Sequence, residues 1–118
     1  MEKVFYVESN ALLRTMNEAT FKVQGGDLYT LDDVSEALRL IRELSPILVV
    51  LDMKTISKNE SAKNELLEWL RVAQIPVALT VEPRNELAIP QGPWRVIGKP
   101  LGPFEIWEVF EKTGKKKS

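Results

Sequence analysis

An aspartate, a threonine and a lysine each stand where a short run of β-forming residues ends. Asp52 follows Ile47-Leu48-Val49-Val50-Leu51, Thr80 lies at the end of Pro76-Val77-Ala78-Leu79-Thr80-Val81, and Lys99 comes just after Trp94-Arg95-Val96-Ile97. A carboxylate can attack phosphorus as a nucleophile. A lysine can neutralise phosphoryl oxygens as a point charge, and a hydroxyl can hydrogen-bond one of them. Glu8, directly after Val4-Phe5-Tyr6-Val7, adds an oxygen donor of the kind that holds Mg²⁺, a hard cation that keeps several waters. The chain contains no cysteine and no histidine. That excludes disulfides, thiol nucleophiles, thiolate metal sites, a Ser-His-Asp triad and a phosphohistidine relay.

Positioning these groups at one edge requires an alternation of strands and helices, and the hydrophobic pattern supplies it. Val4–Val7 reads as a first strand, and Glu8, Ser9 and Asn10 are good helix-starting residues. Leu12, Leu13, Met16 and Ala19 have helical spacing up to the break at Gly25-Gly26. Leu28–Leu31 forms a second strand, and Asp32-Asp33 is expected to cap a helix carried by Val34, Ala37, Leu38, Ile41 and Leu44. That helix must stop at Ser45-Pro46, because proline disfavours a helical residue before it. Ile47–Leu51 has no polar alternation, as in a strand buried on both faces at the centre of a parallel sheet.

Glu60–Val72 is the next helix, with Leu66, Leu67, Trp69 and Leu70 apolar. After the fourth strand, Pro83, Pro90, Gly92 and Pro93 leave room only for a short or distorted helix. Trp94–Ile97 is the fifth strand, and a last helix begins near Pro103 and carries Phe104, Trp107, Val109 and Phe110. Trp69, Trp107 and Phe110 are expected in the core and Trp94 nearer the surface, while the basic run from Lys112 to Ser118 is expected to fray.

The expected fold is therefore a doubly wound α/β domain spanning 1–118: a five-stranded parallel sheet with helices on both faces. In such sheets function gathers outside the carboxyl ends of the strands. The length is that of one domain, and 44% hydrophobic with 28% charged residues is ordinary for a globular chain. A net charge of −1 argues against nonspecific nucleic-acid binding. No segment reads as membrane-spanning or as a signal peptide, so a cytoplasmic location is expected.

The order and spacing of Val4-Phe5-Tyr6-Val7-Glu8, Leu48-Val49-Val50-Leu51-Asp52, Ile75-Pro76-Val77-Ala78-Leu79-Thr80 and Lys99-Pro100-Leu101 resemble the receiver domain of bacterial two-component response regulators over nearly the whole chain. The resemblance implies the flavodoxin-like sheet order 2-1-3-4-5, with Asp52 as phosphoacceptor, Thr80 as switch hydroxyl and Lys99 as the phosphoryl-contacting lysine, followed by a cis Lys99–Pro100 bond. It also implies Mg²⁺ held by Glu8, Asp52 and the backbone carbonyl of Lys54. Implied partners are a histidine kinase or phosphotransfer protein, and a downstream protein or second copy on the face of the fourth helix, fifth strand and fifth helix. No nucleic acid, membrane or enzymatic activity is implied.

The sequence also departs from the family pattern. The second acidic residue after the first strand is replaced by Ser9, for which helix capping is the better expectation. Losing that carboxylate removes on the order of 4 kcal/mol per unit-charge pair at about 4 Å and an effective dielectric of about 20, before solvation offsets it. Mg²⁺ binding should be weak. The Lys54 ammonium is expected to fill part of the vacated position, pairing with Glu8 or Asp52. Val81 stands where Ala or Gly is usual, narrowing access, and Val96 where an aromatic switch residue is usual. Two readings follow: a phosphorylatable receiver, and a pseudo-receiver that binds proteins without phosphorylation. A flavin carrier or enzyme on the same architecture is disfavoured, since no phosphate-cradling loop follows the first strand.

Overall fold

A computed structural model describes residues 2–84 and 89–117. The order is β1 (Lys3–Val7), α1 (Ala11–Gln24), β2 (Asp27–Leu31), α2 (Ala37–Leu44), β3 (Leu48–Asp52), α3 (Met53–Ile56), α4 (Glu60–Ala73), β4 (Val77–Val81), β5 (Arg95–Gly98) and α5 (Glu105–Lys117). All strand pairs are parallel, and the sheet order is β2-β1-β3-β4-β5. This is the doubly wound architecture that the alternating pattern predicts.

The two-residue period of the strands builds two cores. Phe5, Val7, Val49, Leu51, Val77 and Leu79 point to one face, where Ile41 of α2, Ile56 of α3 and Leu66 and Leu70 of α4 cover them. Val4, Tyr6, Leu48, Val50 and Ala78 point to the other, beneath Phe21 of α1 and Ile106 and Val109 of α5. Every residue of β3 and β4 is buried, as the unbroken apolar runs require. Trp69 packs against the first core, and Trp107 and Phe110 against the second.

Several local features differ from the sequence expectation. In α1 the inward stripe is Leu13, Asn17 and Phe21, whereas Leu12 is 77% exposed and Ala19 faces solvent. Its N-cap is Asn10, whose side chain accepts from the Leu13 amide, rather than Ser9. α2 begins at Ala37, three residues beyond Val34, because Asp33 accepts from the Ser35 amide and hydroxyl and so closes a turn ahead of the helix. The short α3 has no counterpart in the sequence reading, and Asp52 is its N-cap. Between β4 and β5 the described residues show a single 3₁₀ turn at Pro83–Arg84, while 85–88, where a short fourth helix would fall, lie outside the described residues. Ser118 lies outside them too; the basic run continues α5 as far as Lys117.

The turn from α1 into β2 needs both of its glycines, for different reasons. Gly25 caps the helix at φ 79°, a left-handed conformation that costs glycine little. At Gly26 an added Cβ would sit 2.7 Å from the Trp107 ring and 2.8 Å from that of Phe21. Gly26→Ala is expected to lower stability by about 1–3 kcal/mol through overpacking, read as a shift in the urea midpoint. An unchanged midpoint would mean that the two rings do not close over the turn.

Candidate functional site

The pairing register brings four of the five predicted site residues together. Val7 lies opposite Leu51 and Asp52 opposite Thr80, so Glu8, Asp52 and Thr80 follow one another across the carboxyl edge. Strand parity turns all three toward the α1/α5 face, since Glu8 continues the phase of Tyr6, Asp52 that of Val50 and Thr80 that of Ala78. The Lys99 amide donates to the Val81 carbonyl at 2.8 Å, extending the ladder beyond β5, and the Lys99–Pro100 bond is cis.

Lys99 bridges the two carboxylates. Its Nζ lies 2.8 Å from Glu8 Oε1 and 2.9 Å from Asp52 Oδ1. Thr80 donates its hydroxyl to the same Asp52 oxygen at 3.0 Å. The other oxygen, Oδ2, accepts from the Thr55 hydroxyl at 2.7 Å and from the Thr55 amide at 3.1 Å. Glu8 is held as fully: Tyr6 donates to Oε1 at 3.1 Å and the Asn10 amide to Oε2 at 3.1 Å. Arg14 donates to the Glu8 carbonyl at 2.7 Å, tying the first turn of α1 to the site. Glu8, Asp52, Thr55 and Thr80 are all at most 2% exposed.

These contacts set the charge states. Burial would raise the Asp52 carboxyl, but hydrogen bonds from Lys99, Thr55 and Thr80 and the charge of Lys99 outweigh it and hold it below the usual carboxylate range. Burial likewise works against the Lys99 ammonium, and its bonds to Glu8 and Asp52 hold it above the usual lysine range. The Tyr6 phenol is pushed above its ordinary value by burial and by the neighbouring Glu8 carboxylate.

Lys54 is not part of this cluster. Its side chain is exposed on α3, where backbone carbonyls run toward the helix C-terminus and away from the N-cap carboxylate. The cation between Glu8 and Asp52 is Lys99, reaching in from the far end of the chain, not the neighbouring Lys54. Ser9 spends its polar groups on Thr55, the amide at 2.9 Å and the hydroxyl at 3.0 Å. Val81 packs into the opposite core, and Val96 is 46% exposed.

Mg²⁺ is a poor match to this donor set. Each Asp52 oxygen already accepts two hydrogen bonds, an ammonium stands between the carboxylates, and the loop after β1 offers a hydroxyl in place of a second acid. Among the described residues no group of three or more acidic, histidine or cysteine side chains could hold a metal ion.

Thr55 was missed by the sequence reading. The available signal was its position three residues after Asp52, the spacing of an N-cap and the amide it satisfies. A surface depression of about 350 Å³, lined by Asn10, Leu13, Glu82, Pro83, Lys99 and Pro100 among others, opens beside the lysine. A depression of about 400 Å³ lies around Pro76, Pro93 and Trp94, toward the amino edge of β4 and β5, and has none of the site residues in its lining.

No protein-family model matches the sequence, and no curated protein matches it. Solved structures do share its fold, among them receiver domains and response regulators. A response regulator receiver domain from Clostridium thermocellum matches with a TM-score of 0.77 at 16% identity, over 99% of this chain and 97% of that one. The chemotaxis response regulator CheY4 of Vibrio cholerae matches with a TM-score of 0.72 at 18% identity, over 96% and 98%. NtrX from Brucella abortus matches with a TM-score of 0.76 at 22% identity, over 98% of this chain but 27% of that longer one. At these identities the likeness establishes the receiver fold.

Proposed function

We propose that this chain is a receiver-type signalling domain in a phosphorelay, a switch for protein binding rather than an enzyme, with Asp52 as its phosphoryl acceptor. The observation that carries this reading is the mutual contact of Asp52, Thr80 and Lys99 at the carboxyl edge of the sheet. The two Asp52 oxygens are not equivalent. Oδ2 is fixed by the amide and hydroxyl of Thr55, whereas the partners of Oδ1 are a lysine and a hydroxyl able to move onto phosphoryl oxygens.

Oδ1 is therefore the attacking atom. It forms the new O–P bond as the P–N bond of a phosphohistidine on a kinase or phosphotransfer partner breaks, and the histidine nitrogen leaves with the bonding pair. The depression beside Lys99 is the approach for that donor. The acyl phosphate carries roughly two negative charges where the carboxylate carried one, in a pocket that already holds Glu8, and this draws Lys99 and Thr80 onto the phosphoryl oxygens and loosens their hold on Oδ1. Such a shift reaches β5 directly, since Lys99 follows it and Arg95, Val96 and Gly98 are exposed there. The exposed strand, with α5, is the surface offered to a downstream protein or a second copy.

Mg²⁺ assistance is weak in this reading. No helix of the described residues is long and apolar enough to cross a membrane; the reading itself takes a cytoplasmic setting and protein partners.

One observation favours a second reading. Asp52 is 2% exposed, with both oxygens occupied. A carboxylate so held suits a module that binds its partner without phosphorylation. Intact mass after incubation with a small phosphodonor, with and without Mg²⁺, separates the two. One added phosphoryl group that is absent in Asp52→Asn supports the acceptor. No added mass on folded protein under any of these conditions assigns the chain to the constitutive module.

A further inference from the structure

We infer that Ser9 and Thr55 form a hydroxyl plug that closes the acidic pocket to divalent cations, so that Lys99 serves as the pocket's resident cation. Thr55 Oγ1 has one proton, and its shortest contact is with Asp52 Oδ2 at 2.7 Å. The Ser9 hydroxyl, 3.0 Å away, must then donate to Thr55, as does the Ser9 amide at 2.9 Å. Thr55 Oγ1 thus donates once and accepts twice, which exhausts it. The Thr55 amide also bonds Oδ2. On this side of Asp52 no lone pair is left turned toward an incoming ion.

The opposite side is closed by charge. Lys99 lies within 2.9 Å of both carboxylates and has only 11% of its side chain exposed. A divalent ion would have to displace the ammonium or strip Oδ2 of two donors while gaining one neutral hydroxyl from the loop. Thr55 is buried inside the domain, whereas Ser9 is exposed and forms the outer lip of the plug. This makes Thr55 a positioning residue. It aims Asp52 by fixing Oδ2, and it excludes cations from the same atom. The inference concerns cation occupancy alone and holds whether or not Asp52 accepts a phosphoryl group.

The test is electron paramagnetic resonance of free Mn²⁺ titrated against the full chain, with no phosphodonor present. Wild type should leave the free-ion signal as in buffer, and Ser9→Asp alone should change it little, because Thr55 still holds Oδ2. The double variant Ser9→Asp/Thr55→Ala should bind Mn²⁺ at least about tenfold more tightly than Ser9→Asp. Adding Asp52→Asn to that double variant should abolish the gain. Stoichiometric binding by wild type would overturn the proposal, as would Ser9→Asp binding as tightly as the double variant. Circular dichroism checks that each variant is folded. If removing Thr55 unfolds the chain, wild type and Ser9→Asp decide the matter: saturable binding by either overturns the plug, and its absence from both upholds it.

Discussion

Lys99→Met should lower stability by about 3–5 kcal/mol at neutral pH, the usual effect of removing one partner from a buried ion pair. The lysine lies between two carboxylates that are at most 2% exposed, so its loss leaves both in the interior without a counter-charge. The aliphatic stem is retained by methionine, which keeps packing loss out of the comparison. Chemical denaturation at neutral and acidic pH is the measurement. The double variant Lys99→Met/Asp52→Asn should recover part of the loss, and the coupling from that cycle isolates the Lys99–Asp52 pair. A single variant as stable as wild type would refute the bridging geometry.

The pH dependence has a definite sign. In wild type the folded-state pKa of Asp52 is depressed, so its contribution is present above the unfolded carboxylate range and is lost as pH falls through the folded value. The folded-state pKa of Lys99 is raised, so its contribution is complete below the ordinary lysine value and is lost as pH rises through the folded one. Without Lys99, burial drives Asp52 toward its protonated form, and the variant then gains stability relative to wild type on acidification. The difference between the two proteins should narrow steadily from neutral pH into the carboxylate range. A gap independent of pH would mean that lost packing, not lost charge, explains the variant.

Phe21→Ala is expected to cost about 3–5 kcal/mol, since a fully buried ring leaves a cavity that rigid neighbours fill poorly. Phe21 is 1% exposed, meets Trp107 edge-on at a centroid distance of 5.0 Å, and lies 5.6 Å from Phe110. These contacts join α1 to α5, the two helices over the face toward which Glu8, Asp52 and Thr80 point. Urea unfolding gives the magnitude, and the near-ultraviolet circular dichroism of the native state reports whether the indole of Trp107 has lost its fixed packing. Phe21→Leu should lose less, because it keeps most of the apolar volume. Equal losses for Ala and Leu would show that ring geometry, rather than filled space, holds the helices together.

The alternation of strands and helices, the burial of β3 and β4, and the arrival of Asp52, Thr80 and Lys99 at one edge were legible in the sequence, because they depend on period and punctuation. The strand order was legible only through the resemblance to receiver domains, since the same alternation fits more than one order. Ile47–Leu51 carries no polar residue and is a short run bounded by Pro46 and Asp52, the pattern of a strand covered on both faces, and a strand's carboxyl end follows from chain direction. The stripe of α1 was less legible. Asn17, buried and polar, interrupts the Leu13–Asn17–Phe21 spacing, while the exposed Leu12 supplies a misleading apolar signal. A hydrophobicity count cannot weigh an amide that bonds its own helix at the Leu13 carbonyl.

Contacts between elements were decided by tertiary structure alone. Lys54 is two residues from Asp52 and Lys99 is forty-seven, yet the distant lysine fills the pocket, because β5 delivers it there and α3 turns the near one to solvent. Ser9 likewise read as a helix cap. Its place against Thr55 exists only once β1 and β3 lie side by side in register. Residue types set which charges and hydroxyls the pocket can contain, and the fold sets which of them meet, because a hydrogen bond depends on separation in space rather than along the chain.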